Sequence, residues 1–439
     1  MPPSRSYALL APRSQDDLAR HTRELRERML DAGVRYGDGP VPTLPLPLVV
    51  SRSLWAQAAE VLPPLAELLE HAAREAADSE LGQLWALTGA ERRMLRGARP
   101  GRCAPLIRFD CTLERGRLQV MEVNALFSGL ASADGAAECV LAMAPVARRL
   151  EERGAKHLPL TPHLAGLLRG DGPATATGAW ALVGRPPHDP IVEEYRYTLR
   201  RLADAGMGDG ALATPGELAA APGGGLLVRG AAVQAVYVRG SYDDWTAHPQ
   251  AAAAATAAAA RGQVRLVNPL PSLLVDSKAA LAALHHPAVL NSLPRPARRL
   301  VEGHVPRTWV PGAAADPRAA AEALLARRTE LVLKPSDGYG GRGVVIGRDA
   351  SPAAWTRAVA RARAGRHVAQ AWVPQLCLPP PHEAVLGPCK LALSFVVAAG
   401  TLAGGFARLS RSAVVNIANY GAMLPLYVVS QTPSIPEAS

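Results

Sequence analysis

The spacing of apolar residues divides the chain into stretches of different period. From residue 15 to about 100 it is mainly helical: Leu62 to Ala77 repeats apolar positions at helical intervals, and Leu81 to Leu95 continues with Glu91, Arg92 and Arg93 on a polar face. At Leu106 the pattern changes. Two apolar runs, Leu106 to Leu113 and Leu118 to Val123, flank Glu114-Arg115-Gly116-Arg117 and predict a β-hairpin. Residues 170 to 265 alternate strand and helix: a strand at Ala179 to Val183, a helix at Ile191 to Ala205, then strands near Leu226 and at Val233 to Arg239. The alanine tract 251 to 260 predicts a surface helix, because alanine has the best helix propensity. Beyond Pro269 the pattern predicts helices at Ser277 to Leu284 and Pro317 to Arg327, then strand, glycine loop and strand from Leu331 to Ile346. A helix at Ala353 to Ala364 and a strand at His367 to Val373 follow. The tail from Ser430 is rich in Pro, Ser and Thr and is expected to fray.

Composition narrows the class. At 439 residues the chain exceeds the size of one hydrophobic core, so two or three packed lobes are expected. Hydrophobic residues at 49% and charged residues at 20% match ordinary globular usage. No stretch reaches the roughly 18 apolar residues of a membrane helix, and Met1 to Leu18 has no apolar signal core, so a cytoplasmic location without membrane attachment is expected. The five cysteines, at 103, 111, 139, 377 and 389, have no zinc-knuckle spacing and read as buried, reduced thiols. The net charge of +10 comes mostly from arginines scattered among alanines, which speaks against a nucleic-acid partner and suits a protein that holds a polyphosphate.

The run Leu331-Val332-Leu333-Lys334-Pro335-Ser336-Asp337-Gly338-Tyr339-Gly340-Gly341-Arg342-Gly343-Val344-Val345-Ile346 carries the sharpest signal. Its glycines match the dinucleotide spacing, but that motif needs a helix after the last glycine, and Val344-Val345-Ile346 reads as a strand. A phosphate loop of the Walker type is excluded because no Lys-Ser or Lys-Thr follows the glycines. What remains is a hairpin whose tip, from Ser336 through Gly338, Gly340, Gly341 and Gly343, lets backbone N–H groups close over phosphate oxygens, with Lys334 as a point charge. A glycine-rich turn without a ligand is the plain alternative.

The earlier hairpin carries Arg108-Phe109-Asp110 on one strand and Glu122-Val123-Asn124 on its partner. Period-two alternation puts Arg108 with Asp110, and Glu122 with Asn124, on shared faces. Two carboxylates and an amide oxygen are the hard ligands that Mg²⁺ prefers. The alternative is a solvated strand face on which Arg108 and Asp110 merely pair.

Together these features resemble the ATP-grasp superfamily, in which a lysine-bearing strand and a glycine-rich loop cover ATP while an acidic strand pair ending in Glu-x-Asn holds magnesium. Here the acidic hairpin precedes the glycine loop by about two hundred positions, an order that resembles the circularly permuted glutathionylspermidine synthase branch. The spacing from Asp110 to Glu122, 122 − 110 = 12, agrees with that branch. The resemblance implies that Lys278, which follows Asn268-Pro269, is a second phosphate ligand. It implies that Gln370, Ala371, Trp372 and Val373 form the hinge whose backbone reads the adenine edge, with Ala371 where many relatives carry an acidic ribose contact. Gly404-Gly405-Phe406-Ala407-Arg408, with Asn416 and Asn419-Tyr420-Gly421, is similar to the closing strands, where Arg408 would face substrate or phosphate.

The fold so implied is an α/β (α+β) ATP-grasp, circularly permuted. Residues 1–100 would be an N-terminal helical region, 101–165 the core with the Mg-binding hairpin, and 166–268 a small α/β substrate lobe. Residues 269–375 would form the ATP-binding lobe with its glycine-rich lid, and 376–439 the closing strands and tail. The implied activity is ADP-forming ligation of a carboxylate to an amine through an acyl-phosphate, with ATP and Mg²⁺ as cofactors and small molecules of secondary metabolism as substrates. Asp110, Glu122 and Asn124 would hold the metal, Lys278 and Lys334 would neutralise phosphates, and Arg108 would stabilise the developing oxyanion. Glu193, Glu194 and Arg239 are candidates for substrate contacts. A nucleotide-binding module without turnover, and a ligase acting on a carrier- or protein-bound acceptor, stay open as alternatives.

Overall fold

A computed structural model describes residues 6–10, 14–76, 79–95, 102–126, 129–170, 178–185, 189–338, 340–378, 386–412, 414–415 and 421–429. Its centre is a mixed sheet in the order Tyr7–Leu9, Leu48–Val50, Ala422–Val429, Thr401–Ser410, Lys390–Ala398, Leu106–Glu114 and Arg117–Asn124. Neighbours run antiparallel except Ala422–Val429 beside Leu48–Val50, which are parallel. Strands that begin and end the chain therefore lie side by side in one sheet. The two N-terminal strands were not legible in the helical reading of that region, because three residues each are too few to show a period of two.

The helix expected from Leu62 instead spans Arg52–Ala76 and carries Pro63 and Pro64 in its interior. Such prolines suggest a helix start and each removes a backbone bond. Here the buried face of Leu54, Ala58, Val61, Leu62, Leu65 and Leu69 continues across them, and packing carries the helix through. The next expected helix is divided into a 3₁₀ turn at Glu80–Trp85 and a helix at Gly89–Leu95, broken at Ala86 with φ of 46°. Trp85, 2% exposed, anchors the turn by donating from Nε1 to the Leu274 carbonyl at 2.9 Å.

Among the described residues four smaller sheets accompany the centre, one of them only the pair Arg35–Tyr36 and Gly39–Pro40. Gly210–Ala213, Trp180–Val183, Ala235–Val238 and Arg265–Val267 form a parallel sheet, as the alternating pattern predicts. Leu218–Ala220, Leu226–Val228 and Ala231–Val233 form an antiparallel one. The alanine helix, Pro249–Ala260, lies at the surface with Pro249, Gln250 and Ala253 exposed, and buries its other face of Ala251, Ala252, Ala255 and Ala258, packing on Leu218–Ala220, where small side chains permit close approach. Thr308–Trp309, His367–Ala371, Leu331–Pro335 and Val345–Ile346 form the fourth sheet, which packs Leu331, Leu333 and Ala369 against Leu324, Trp355 and Ala358 in a core of its own.

The molecule is thus an α+β protein with a large mixed sheet. Cys103, Cys111, Cys139 and Cys389 are buried free thiols, as expected, but Cys377 is exposed, because strand alternation turns Leu376 inward and its neighbour out. Among the described residues no single helix is long and apolar enough to cross a membrane. The tail from Ser430 lies outside the described residues.

Candidate active site

The hairpin Leu106–Glu114 and Arg117–Asn124 forms at the predicted place, with Arg108 opposite Asn124 and Asp110 opposite Glu122. A bulge after Asp110 shifts the register there. Its open end is pinned from a distance. Asn268 donates from Nδ2 to the carbonyls of Leu106 at 2.7 Å and Ala125 at 2.6 Å, and accepts from Leu106 N at 3.0 Å. Asp276 accepts from Ala125 N at 2.6 Å and Leu126 N at 2.9 Å. These buried bonds fix the segment that ends in Lys278 against the hairpin. The ammonium of Lys278 consequently sits 2.9 Å from Glu122 and donates to the Gly338 carbonyl at 2.7 Å.

Asp110 is 3% exposed, accepts four hydrogen bonds and makes a further ion pair. Arg108 donates from Nε and Nη2, each at 3.0 Å, so the ion pair of the plain alternative does form. Asn124 donates from Nδ2 at 3.1 Å and Ser394 from Oγ at 2.9 Å, and the Arg408 Nη2 lies 2.7 Å from Oδ2 in an ion pair. Burial by itself would raise this carboxyl; the Arg108 and Arg408 guanidiniums overturn that and hold it down to about 2. Glu122 behaves alike: burial opposes its charge, but Lys278, by charge and hydrogen bond, and Lys334 together favour it, and the carboxyl is lowered.

Lys334 comes from the other sheet. Its ammonium donates to Gln370 Oε1 at 2.6 Å and to the Met121 carbonyl at 3.1 Å, while Gln370 is held in turn by Nε2 donating to Thr308 Oγ1 at 3.1 Å. Burial depresses Lys334 to about 8, against the opposing pull of Glu122. Four cations, Arg108, Lys278, Lys334 and Arg408, thus face two carboxylates, Asp110 and Glu122, a surplus of two positive charges. A cavity of about 1010 Å³ collects all six with Asn124, Gly338, Gly340, Gly341, Gly343 and Gln370 along its wall. Such a surplus attracts a polyanion.

The expected hinge also lines the cavity, through Gln370, Ala371, Trp372 and Val373, but two of its backbone donors are already used. Ala371 N donates to the Arg307 carbonyl at 2.8 Å and Trp372 N to the Glu330 carbonyl at 2.7 Å. The N–H of Val373 is the hinge donor left for a ligand among the described residues. Arg348 stacks on the Trp372 ring, 3.3 Å from its centroid, and fixes that side chain. Ser336 stands apart from the lining: it is 1% exposed, donates from its backbone N to the Arg366 carbonyl, and forms the root of the glycine loop rather than its cover.

At the far end the cavity reaches Arg185, Glu194, Tyr195 and Arg239. Arg239 is 4% exposed, lies against the rings of Tyr195 and Tyr237 at 5.7 and 5.6 Å, and leaves its Nε without a hydrogen-bond partner. Burial raises the carboxyl of Glu194 despite Arg239. Glu193 does not reach the cavity; helix Val192–Leu202 turns it outward to pair with Arg196. Asn416, Asn419 and Tyr420 lie outside the described residues. Sequence reasoning missed Ser394, Asn268 and Asp276 as site-building residues. Ser394 had a signal: it interrupts the apolar run Leu391-Ala392-Leu393-Ser394-Phe395-Val396-Val397, and a buried hydroxyl there needs a partner.

No family model and no curated protein sequence matches the chain. Among solved structures it is similar to a glutathione synthetase-like effector from Globodera pallida in its apo form, at 13% identity and a TM-score of 0.57, covering 95% of this chain and 98% of that one. A candidate gamma-glutamylcysteine synthetase from Methylobacillus flagellatus aligns at 12% identity and a TM-score of 0.39, over 82% and 87% of the two chains. The first likeness is one of fold, and it runs nearly the full length of both molecules.

Proposed function

We propose that the chain is an ATP-dependent, ADP-forming carboxylate–amine ligase of the ATP-grasp type, circularly permuted, acting on small molecules. One observation carries this reading: Arg108, Asp110, Glu122, Asn124, Lys278 and Lys334, drawn from segments far apart in sequence, line a single cavity beneath a glycine loop. The fold shared with a glutathione synthetase-like chain supports it. So does the order of hairpin and glycine loop along the sequence.

The donor set fits a hard divalent ion. The Glu122 carboxylate is 31% exposed and pairs with Lys278, and Asn124, its amino group turned to Asp110, directs its carbonyl oxygen elsewhere. Magnesium bound there would neutralise charge between the β- and γ-phosphates. Lys334 and Lys278 hold phosphate oxygens, and the backbone at Gly340, Gly341 and Gly343 closes over them. Val373 N–H meets the base. A substrate carboxylate oxygen attacks the γ-phosphorus and ADP leaves; the neutral amine then attacks the acyl carbon, the C–O bond breaks, and phosphate leaves carrying the proton that the nitrogen gives up. Arg108, fixed in plane by Asp110, faces the oxyanion that develops in both steps. Arg239 and Glu194, at the far end, contact the substrate's remaining polar groups.

The test is a screen for ADP and phosphate release over amino acids and amines with Mg·ATP, followed by mass analysis of products. Release that depends on both a carboxylate and an amine, with a condensed product, is expected. Nucleotide binding without release across the screen would favour the module that binds without turnover.

A further inference from the structure

We propose that Asp110 is a positioning residue, holding Arg108, Arg408 and the Asn124 amide as one oxyanion-facing unit, and that the divalent ion is ligated by Glu122 and Asn124 without it. The metal half of this proposal rests on the function proposed above; the arginine half does not.

Hydrogen-bonding capacity decides which carboxylate is open to a cation. An ionised carboxylate offers about four lone-pair sites. At Asp110 these are full: Oδ1 accepts from Arg108 Nε and Ser394 Oγ, and Oδ2 from Arg108 Nη2 and Asn124 Nδ2, all between 2.9 and 3.1 Å, with the Arg408 guanidinium in an ion pair 2.7 Å from Oδ2. To take a metal, Asp110 would have to release a guanidinium whose side chain is only 11% or 12% exposed, and a buried charge left unpaired is costly. Glu122 has no such crowd, with Lys278 at 2.9 Å as its ion-pair partner.

Four adjacent strands build the unit, with Asn124 opposite Arg108 on the outermost of them. Ser394 lies directly opposite Asp110 and Val396 opposite Arg108, while Arg408 lies opposite Ala392 on the next strand. Because Arg108 is gripped through Nε and Nη2 together, its plane is fixed, and Phe406 lies 5.8 Å beneath it. Arg408 is held by Nη2, and its buried Nε has no hydrogen-bond partner. Both guanidiniums line the cavity beside Glu122, so the ligand chemistry they suit is a carboxylate or phosphoryl oxygen. Asp110 also sets the Asn124 amide: with Nδ2 committed to the carboxylate, the carbonyl oxygen is the face presented to a cation.

The experiment uses the full chain and two probes. Mn²⁺ with a non-hydrolysable ATP analogue, followed by electron paramagnetic resonance, reads the metal site; inorganic phosphate without metal, followed by calorimetry, reads the arginine pair. Glu122→Gln is expected to weaken Mn²⁺ binding about a hundredfold and leave phosphate binding within about threefold. Asp110→Asn is expected to do the reverse, holding Mn²⁺ within about threefold and weakening phosphate about tenfold or more. Ser394→Ala removes one bond to Asp110 and nothing from the cavity lining; it is expected to weaken phosphate by about threefold with Mn²⁺ unchanged, and serves if Asp110→Asn fails to fold. Loss of Mn²⁺ in Asp110→Asn as severe as in Glu122→Gln overturns the proposal, as does full retention of phosphate binding in both Asp110→Asn and Ser394→Ala. If the native chain binds no Mn²⁺ and nucleotide at all, the proposed function fails, and the phosphate titrations still decide the role of Asp110.

Discussion

Lys334 and Arg108 are both half-buried cations beside phosphate-binding geometry, yet they are held differently, and the difference predicts different losses. Lys334 reaches across from the glycine-loop sheet to Gln370 and the Met121 carbonyl, so it meets phosphates that are present before reaction. Lys334→Met is expected to weaken nucleotide binding about tenfold or more by calorimetry. Arg108→Met is expected to bind ATP within about threefold of the native chain and to lose about a hundredfold or more in turnover, since charge at its position develops only in the reaction. Equal loss of ATP affinity in both variants would make Arg108 a ground-state ligand. The depressed Lys334 adds a pH dependence. With a folded value of about 8 against an ordinary 10.5, the folded chain releases this proton first, so between those limits the lysine makes stability rise with pH. Phosphates favour the ammonium, so nucleotide affinity is expected to fall by up to about tenfold per unit above pH about 8. That slope should vanish in Lys334→Met, and a slope that survives the substitution assigns it to another group.

The glycine loop shows at the scale of an element how a predicted motif is completed from outside. Its root is tied down: Ser336 N donates to the Arg366 carbonyl, Lys278 N to the Ser336 carbonyl, and the Arg366 guanidinium bridges Asp337 at 3.2 Å and Glu91. Glu91 comes from the N-terminal helix Gly89–Leu95, so that region steadies the loop. Toward the tip, Gly340, Gly341 and Gly343 all have positive φ, which only glycine adopts without strain, and little apolar surface is buried there. Hydrogen exchange is therefore expected to show a protected root at Ser336 to Gly338, and protection at Gly340 to Gly343 that rises with an ATP analogue. Identical exchange at the tip with and without the analogue would count against a phosphate cover. Arg366→Met should raise exchange at the root by about 2 kcal/mol in local opening energy, because it strands the buried Glu91. Exchange unchanged at the root would show that the backbone bonds suffice.

Across the whole molecule the central sheet is the common frame, since it joins strands from both ends of the chain to the hairpin that carries Arg108 and Asp110. Phe395, fully buried on the strand beside that hairpin and edge-on to Trp55 at 6.2 Å, ties the sheet to the long helix Arg52–Ala76. Phe395→Ala is expected to cost about 3–5 kcal/mol, with secondary structure and nucleotide binding lost at the same denaturant concentration. Separate transitions would mean that the glycine-loop sheet, with its own core, unfolds independently. The sequence by itself determined whatever depends on neighbours along the chain. The hairpin at Asp110 and Glu122, the glycine loop after Lys334 and the alternating strands near Trp180 and Val236 follow from period, turn residues and spacing, which are local properties. Only the tertiary structure decided which of these meet. The two short strands that join Ala422–Val429, the buried face of the alanine helix and the outward turn of Glu193 depend on contacts between distant segments. The same holds for the partner that Ser394 finds, and for Asn268 and Asp276, whose single polar side chains are indistinguishable in sequence from ordinary ones. Burial gives them their roles, because a buried donor or acceptor must be paired, and the partner it finds is fixed by the packing of the whole chain.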